Sequence, residues 1–267
     1  MDETTVDRFR TRYGPWALIA GASEGLGAEF AEQLAARGLN LVLIARRKEL
    51  LEAVGEHLKR RHAIEIRTLS LDLAGEDIGT VIAEATGDIE IGLLVYNAAI
   101  SKIGPYFEIP LEDHLAEIAV NCRAPMMLAY QLGQLMLKRG HGGILLMASL
   151  GGSLGTAMVV NYSATKAYNQ MLAEGLWDEL RGQGVDVLAC CPPAVSTPGY
   201  IASTPKGSMV ALTAQVVVTE ALAALGKKPS VIPSLTFRAA NVFMQRIMPR
   251  KSAIKLMGST TRRMYQK

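Results

Sequence analysis

Cysteine is scarce: three among 267 residues, and two of these, Cys190 and Cys191, are neighbours. Neighbours on a strand point to opposite faces, so with Cys122 they make no disulfide framework and read as buried thiols in a reducing, cytoplasmic compartment. Long apolar runs are missing too, since nothing approaches the roughly 18 to 20 residues of a spanning helix. The opening MDETTVDRFRTRYG is charged and has no apolar core of a secretory signal. His57, His62, His114 and His141 show no paired spacing, and with isolated cysteines no metal site is expected. One charge sign also runs out, because no Asp or Glu follows Glu220. Ten of the 28 Lys and Arg lie beyond that point, leaving 18 against 25 acidic groups before it, so a net charge of +3 joins an acidic body to a basic tail. No nucleic-acid recognition motif accompanies these cations, and nucleic acid is not expected as a partner.

What is present is apolar material, 49% of the chain, with only 20% charged residues. Short Val, Ile and Leu runs alternate with longer stretches of helical period, the pattern of a parallel sheet covered on both faces. Strands are expected at Ala17–Ala20, Asn40–Ala45, Ile64–Asp72, Ile91–Tyr96, Ile144–Ser149, Val185–Cys191 and Ser230–Ile232. Helices are expected at Gly25–Arg37 with Gly38 capping, at Lys48–His62, within Gly75–Thr86, after Leu111, after Asn161, and at Leu212–Leu225. No linker divides the chain. The predicted fold is α/β: one domain over residues 1–267, a doubly wound, Rossmann-like parallel sheet of about seven strands. A mobile loop over residues 192–209 after the sixth strand is a candidate substrate lid, because ligands of such sheets bind beyond the carboxyl ends of the strands.

Three stretches carry chemistry. In LIAGASEGLG, a strand ends and Gly21, Gly25 and Gly27 open a helix, where free amides and the positive helix end favour a phosphate. The second strand ends in LIARR, with Ala45 where an NAD-binding acid would stand, followed by Arg46 and Arg47. Cations there suit a ribose 2′-phosphate and favour NADP(H) over NAD(H). The fifth strand delivers Ser149, and NYSATKAYNQ follows, with Tyr162 and Lys166 one helical turn apart if Asn161 or a neighbour caps the helix. An ammonium beside a phenol lowers its pKa toward working pH, and a nearby hydroxyl can donate to a carbonyl oxygen.

Together these residues resemble the short-chain dehydrogenase/reductase family, over about residues 14–235. The family's T-G-x-x-x-G-x-G is matched by AGASEGLG, with Ala20 for threonine. Its adenine-side acid is matched by Asp72, and its N-N-A-G by YNAA, which keeps Asn97 but has Tyr96 and Ala99 at the flanks. Its helix asparagine falls on Asn121 and its Y-x-x-x-K on Tyr162 and Lys166. P-G-x-V-x-T appears as PPAVST, with Pro193 for glycine. The resemblance implies Ser149, Tyr162, Lys166 and Asn121 as catalytic residues, the last through a water relay, and gives Lys166 a second task on the nicotinamide ribose. It implies a cofactor site that adds Ser23, Leu26, Leu73 and Ala98 to the groups above, and Pro192, Val195 and Thr197 at the nicotinamide end. The opening segment and the tail are similar to the branch reducing 3-oxoacyl or steroid ketones.

The expected function is therefore hydride transfer between nicotinamide and a hydrophobic carbonyl or secondary alcohol, in a homodimer or homotetramer. A non-catalytic NADP-binding sensor of the same fold is the alternative. The basic extension, residues 236–267, mixes Phe243, Ile247, Met248 and Leu256 with cations. Such a segment can lie on an anionic membrane, cover the substrate cleft, join a subunit interface or recognise an acyl carrier's phosphate.

Overall fold

The computed structural model describes residues 3–203 and 211–265. Seven strands form one parallel sheet: β1 Trp16–Ala20, β2 Asn40–Ala45, β3 Ile66–Ser70, β4 Ile91–Tyr96, β5 Gly142–Met147, β6 Val185–Cys190 and β7 Ser230–Val231. Their order is β3-β2-β1-β4-β5-β6-β7, so the chain reverses direction across the sheet between β1 and β4. That switch point opens a crevice at the carboxyl ends, where ligands of doubly wound sheets bind.

Alternation along the strands builds two cores. Ile19, Leu43, Val95, Leu145 and Cys190 face one side, packed by α2 (Gly25–Ala35), α3 (Lys48–Arg61), α9 (Ala214–Ala224) and Tyr13 of α1 (Glu3–Tyr13). Leu18, Ile44, Leu94, Leu146 and Cys191 face the other, under α4 (Ile78–Thr86), α6 (Ala124–Arg139) and α7 (Val160–Leu180). Cys190 and Cys191 thus lie on opposite faces, both buried. A period of two on strands covered on both sides is what makes them nearly continuous apolar runs.

Several boundaries differ from expectation. The third strand is trimmed to Ile66–Ser70, because its ladder with β2 ends where Ala45 pairs with Ser70. The fifth starts earlier, at Gly142, and stops at Met147, two residues before Ser149. The helix after Leu111 is not continuous: α5 (Leu111–Ile118) passes into a π turn over Ala119–Arg123 before α6. α1 escapes a reading by apolar period because it is dominated by polar residues. The expected loop over residues 192–209 is not irregular throughout, since α8 covers Pro198–Ser203. Val195 and Leu212 form a bridge, Ser196 and Leu212 amides donate to Leu212 and Ala194 carbonyls, and Pro192's carbonyl accepts from Leu150. Residues 204–209 of that loop lie outside the described residues.

Beyond β7 the chain forms α10 (Leu235–Val242), a π turn over Phe243–Ile247 and α11 (Arg250–Tyr265). Among the described residues no helix is long and apolar enough to cross a membrane.

Candidate active site

β1 ends in a turn whose glycines are required by space. Gly21 has φ +83°, and a Cβ there would sit 2.7 Å from the Ala98 backbone. A Cβ on Gly27 would lie 1.9 Å from the Gly21 carbonyl oxygen and 2.8 Å from Asn97 Nδ2. Asn97 locks the same turn from β4 by donating its side-chain amide to the Gly21 carbonyl at 2.9 Å. The chain can therefore enter α2 with its first amides free beside the crevice.

The crevice is a groove of about 500 Å³. Gly21, Ser23, Gly25 and Leu26 line it from the turn, Arg46 and Arg47 from the end of β2, and Asp72 and Leu73 from beyond β3. Asn97 and Ala98 line it from β4, and Thr197 from the segment before α8. The remaining expected cofactor residues are not in its wall. Gly27 is spent on packing against Gly21, Val195 is buried in the core, and Pro192 holds Leu150. Tyr162 and Lys166 lie outside the groove wall, on α7. Glu24, Ala45, Leu71, Ala99, Ile100, Val120 and Gly199 line it without having been expected. Glu24 matters chemically: its carboxylate pairs with Arg47 Nη2 at 2.8 Å, and the same nitrogen donates to Ser23 Oγ at 3.2 Å. Only the folded turn brings them together.

Ser149 follows β5, and its Oγ accepts the Gly151 amide at 3.1 Å, which leaves its proton to give. The Ser149 hydroxyl lies close enough to the Tyr162 phenol to act on its ionisation. Lys166 is 3% exposed and donates to the Met147 carbonyl at 2.8 Å, with Nζ 5.6 Å from the Tyr162 ring centroid. Burial pulls the lysine down to about 8. The expected lowering of the phenol pKa by Lys166 does not hold in this structure. Burial pushes Tyr162 up to about 12; Ser149 opposes the rise, while Tyr265 and Glu117 add to it. The ammonium faces the ring and a backbone carbonyl, and loss of water around the phenolate is the largest cause of the rise.

Asn121 is fully buried in the π turn. Its side chain accepts the Ile100 amide at 2.9 Å and donates to the Ile100 carbonyl at 2.8 Å and to Thr165 Oγ1 at 3.1 Å. The unexpected Tyr96 has a use here, since its hydroxyl donates to the Val120 carbonyl at 2.6 Å and supports the π turn. Asn161 does not cap α7. It lies inside the first turn, and its side chain reaches Glu117 and the His114 carbonyl instead.

The basic tail reaches this site. A Cβ on Gly258 would lie 3.4 Å from that of Ala157, so α11 rests its backbone against the turn following Ser149. Gln245 donates to the Ser153 carbonyl at 3.5 Å, and Tyr265 is close enough to raise the Tyr162 pKa. Sequence patterning offered the cleft as one of four destinations for the tail.

The short chain dehydrogenase family model matches residues 15–206. A 7beta-hydroxysteroid dehydrogenase of Clostridium sardiniense is 31% identical over 224 residues, 82% of this chain and 85% of that protein. The very-long-chain 3-oxoacyl-CoA reductase of Homo sapiens is 33% identical over 190 residues, 69% of this chain and 60% of that one. A structure from a study of 7beta-hydroxysteroid dehydrogenase stereoselectivity superposes with a TM-score of 0.89 at 27% identity, covering 93% of this chain and 98% of the other. A short-chain dehydrogenase from Sphingobium yanoikuyae in complex with NADPH gives 0.77 at 27%, covering 89% and 97%. The chain belongs to the short-chain dehydrogenase/reductase family. It is a nicotinamide-dependent oxidoreductase acting on CH–OH and C=O groups.

Proposed function

We propose that the protein reduces an apolar ketone with NADPH, and that Tyr162 is the proton donor. The observation that carries this reading is the Lys166 ammonium 5.6 Å from the Tyr162 ring centroid, with the Ser149 hydroxyl close enough to act on the phenol, beside a phosphate-ready groove. The glycine turn fits the cofactor, since Gly21 and Gly25, both at positive φ and without side chains, line the groove at the start of α2. Held in the groove by the glycine turn, Arg46 and Arg47, a reduced nicotinamide cofactor would supply the hydride for the carbonyl carbon. Tyr162 gives its proton to the carbonyl oxygen, completing the secondary alcohol, and the Ser149 hydroxyl donates to the same oxygen as charge develops there. A phenol pushed up to about 12 is protonated at neutral pH, as reduction requires. Lys166 keeps a positive charge nearby below about 8.

NADP(H) is favoured over NAD(H) because Ala45 leaves no acid at the end of β2, while Arg46 and Arg47 line the groove. The substrate is an apolar carbonyl compound of the 3-oxoacyl or steroid kind, covered by α11 and Tyr265. Those two chemistries are named for the relatives. A homodimer through α5, α6 and α7 accounts for exposed Leu115, Tyr130, Tyr168 and Met171 on these helices. The tail's contacts with Ala157 and Ser153 support a role at the cleft ahead of one at a membrane.

The test is Tyr162→Phe with steroid and 3-oxoacyl ketones, read at the nicotinamide absorbance. Turnover is expected to fall at least a thousandfold while NADPH affinity stays within about threefold. Undiminished turnover overturns the mechanism. A wild-type protein that binds NADPH and reduces none of these ketones returns the sensor reading.

A further inference from the structure

EDHLAEIAVN, from Glu112 to Asn121, sets an acid one turn before the site asparagine. Glu117 is 0% exposed, although it is a carboxylate on a helix with open solvent on its other side. Its Oε1 accepts the Lys102 backbone amide at 2.8 Å and its Oε2 accepts Asn161 Nδ2 at 2.7 Å. Asn161 also donates to the His114 carbonyl at 3.1 Å, one turn back on α5. No lysine or arginine among the described residues pairs with Glu117, and Lys102's own ammonium goes to Asp113 at 2.8 Å. Burying a carboxylate without a cation carries a desolvation cost, which hydrogen bonds to the charged form offset only in part. An apolar side chain would fill the same space more cheaply, so the carboxylate is best understood by what it joins.

It joins three parts of the site. Asn161 immediately precedes Tyr162, fixing the first turn of α7. Lys102 ends the segment in which Ile100 exchanges both backbone hydrogen bonds with Asn121. Glu117 itself sits one turn before Asn121, at the end of α5, where the helix loosens into the π turn.

We propose that Glu117 is a positioning residue for the reduction: through Asn161 and the Lys102 amide it sets Tyr162, Asn121 and the Ile100–Lys102 segment relative to one another. Its charge has a second effect, because a buried anion disfavours the phenolate and helps keep Tyr162 protonated. The groups facing that phenol are Ser149, which opposes the effect, and Tyr265, which adds to it, with Lys166 on the same helix. The kinetic part of this inference rests on the proposed ketone reduction; the clamp itself does not.

Glu117→Gln keeps the shape and removes the charge, while Asn161→Ala keeps the charge and cuts the bridge. In both, kcat for ketone reduction is expected to drop about tenfold or more with NADPH affinity within about twofold. Hydrogen exchange should quicken at residues 97–102 and 160–166. In Glu117→Gln alone, the high-pH fall of the reduction rate moves to lower pH; in Asn161→Ala it does not. Wild-type exchange and kcat in Glu117→Gln overturn the proposal. So does a loss of activity that only follows the loss of folded protein, with the pH profile unmoved. If wild-type protein reduces no ketone but exchange still quickens in both variants, the function is wrong and the clamp stands.

Discussion

Arg47 shows how a residue's meaning depends on its partner. The end of β2 reads as a cation pair for a 2′-phosphate, yet Glu24 already neutralises Arg47 at 2.8 Å. A phosphate arriving at Arg47 competes with that carboxylate, and Arg46 meets no such competition from a described residue. Glu24→Gln is therefore expected to tighten NADPH binding several-fold and leave NADH unchanged, measured by fluorescence titration. Arg46→Ala with Arg47→Ala should cost NADPH at least tenfold, again sparing NADH. An equal effect on both cofactors would contradict the 2′-phosphate assignment. Lys166 makes a second prediction. Its pKa falls on folding from 10.5 to about 8, so between those values the unfolded chain holds a proton that the folded chain has lost. Stability contributed through this group rises with pH across that window and is flat below it. Tyr162 runs the other way above pH 10, because its folded pKa is raised. The melting temperature of ligand-free protein, taken as wild type minus Lys166→Met, should climb from pH 8 to 10; a flat difference would mean the lysine is not desolvated.

At the scale of elements, the π turn and the tail helix are the parts that a periodic reading misses. One extra residue in Ala119–Arg123 shifts the phase between α5 and α6, and π turns recur at functional sites because they displace a carbonyl from its regular partner. Tyr96 holds the Val120 carbonyl at this turn, which explains a departure from the family motif. α11 depends on Gly258 to approach Ala157. A Gly258→Leu side chain would push the helix off the cleft. We expect a higher KM for the ketone and at most a small change in the midpoint of thermal unfolding, since α11 is peripheral to both cores. An unchanged KM would separate the tail from substrate binding.

On the scale of the whole molecule, the doubly wound sheet leaves the outer faces of α5, α6 and α7 apolar without a partner in one chain. Tyr130 is 67% exposed and Met171 59%, and Leu115 adds to the patch. The proposed homodimer would cover this exposed apolar patch. Tyr130→Lys with Met171→Lys should shift the protein toward monomer by light scattering while leaving its circular dichroism intact. A wild-type monomer at micromolar concentration would remove the expected interface.

Sequence alone determined the features that are local. Strand periodicity, the glycine turn, the strand-end Ser149 and the turn spacing of Tyr162 and Lys166 each lie within a few residues and follow from backbone geometry. All seven strands and the order of the main helices around them were legible for that reason, with boundaries shifting by a few residues. The tertiary structure decided what depends on distant groups meeting. Glu117 finds Asn161 across 44 positions, Glu24 finds Arg47, and α11 finds the turn after Ser149. It also decided the sign of the Tyr162 shift. Spacing puts an ammonium near a phenol, but burial, a property of the packed whole, removes the water that would stabilise the phenolate, and that loss is the larger effect.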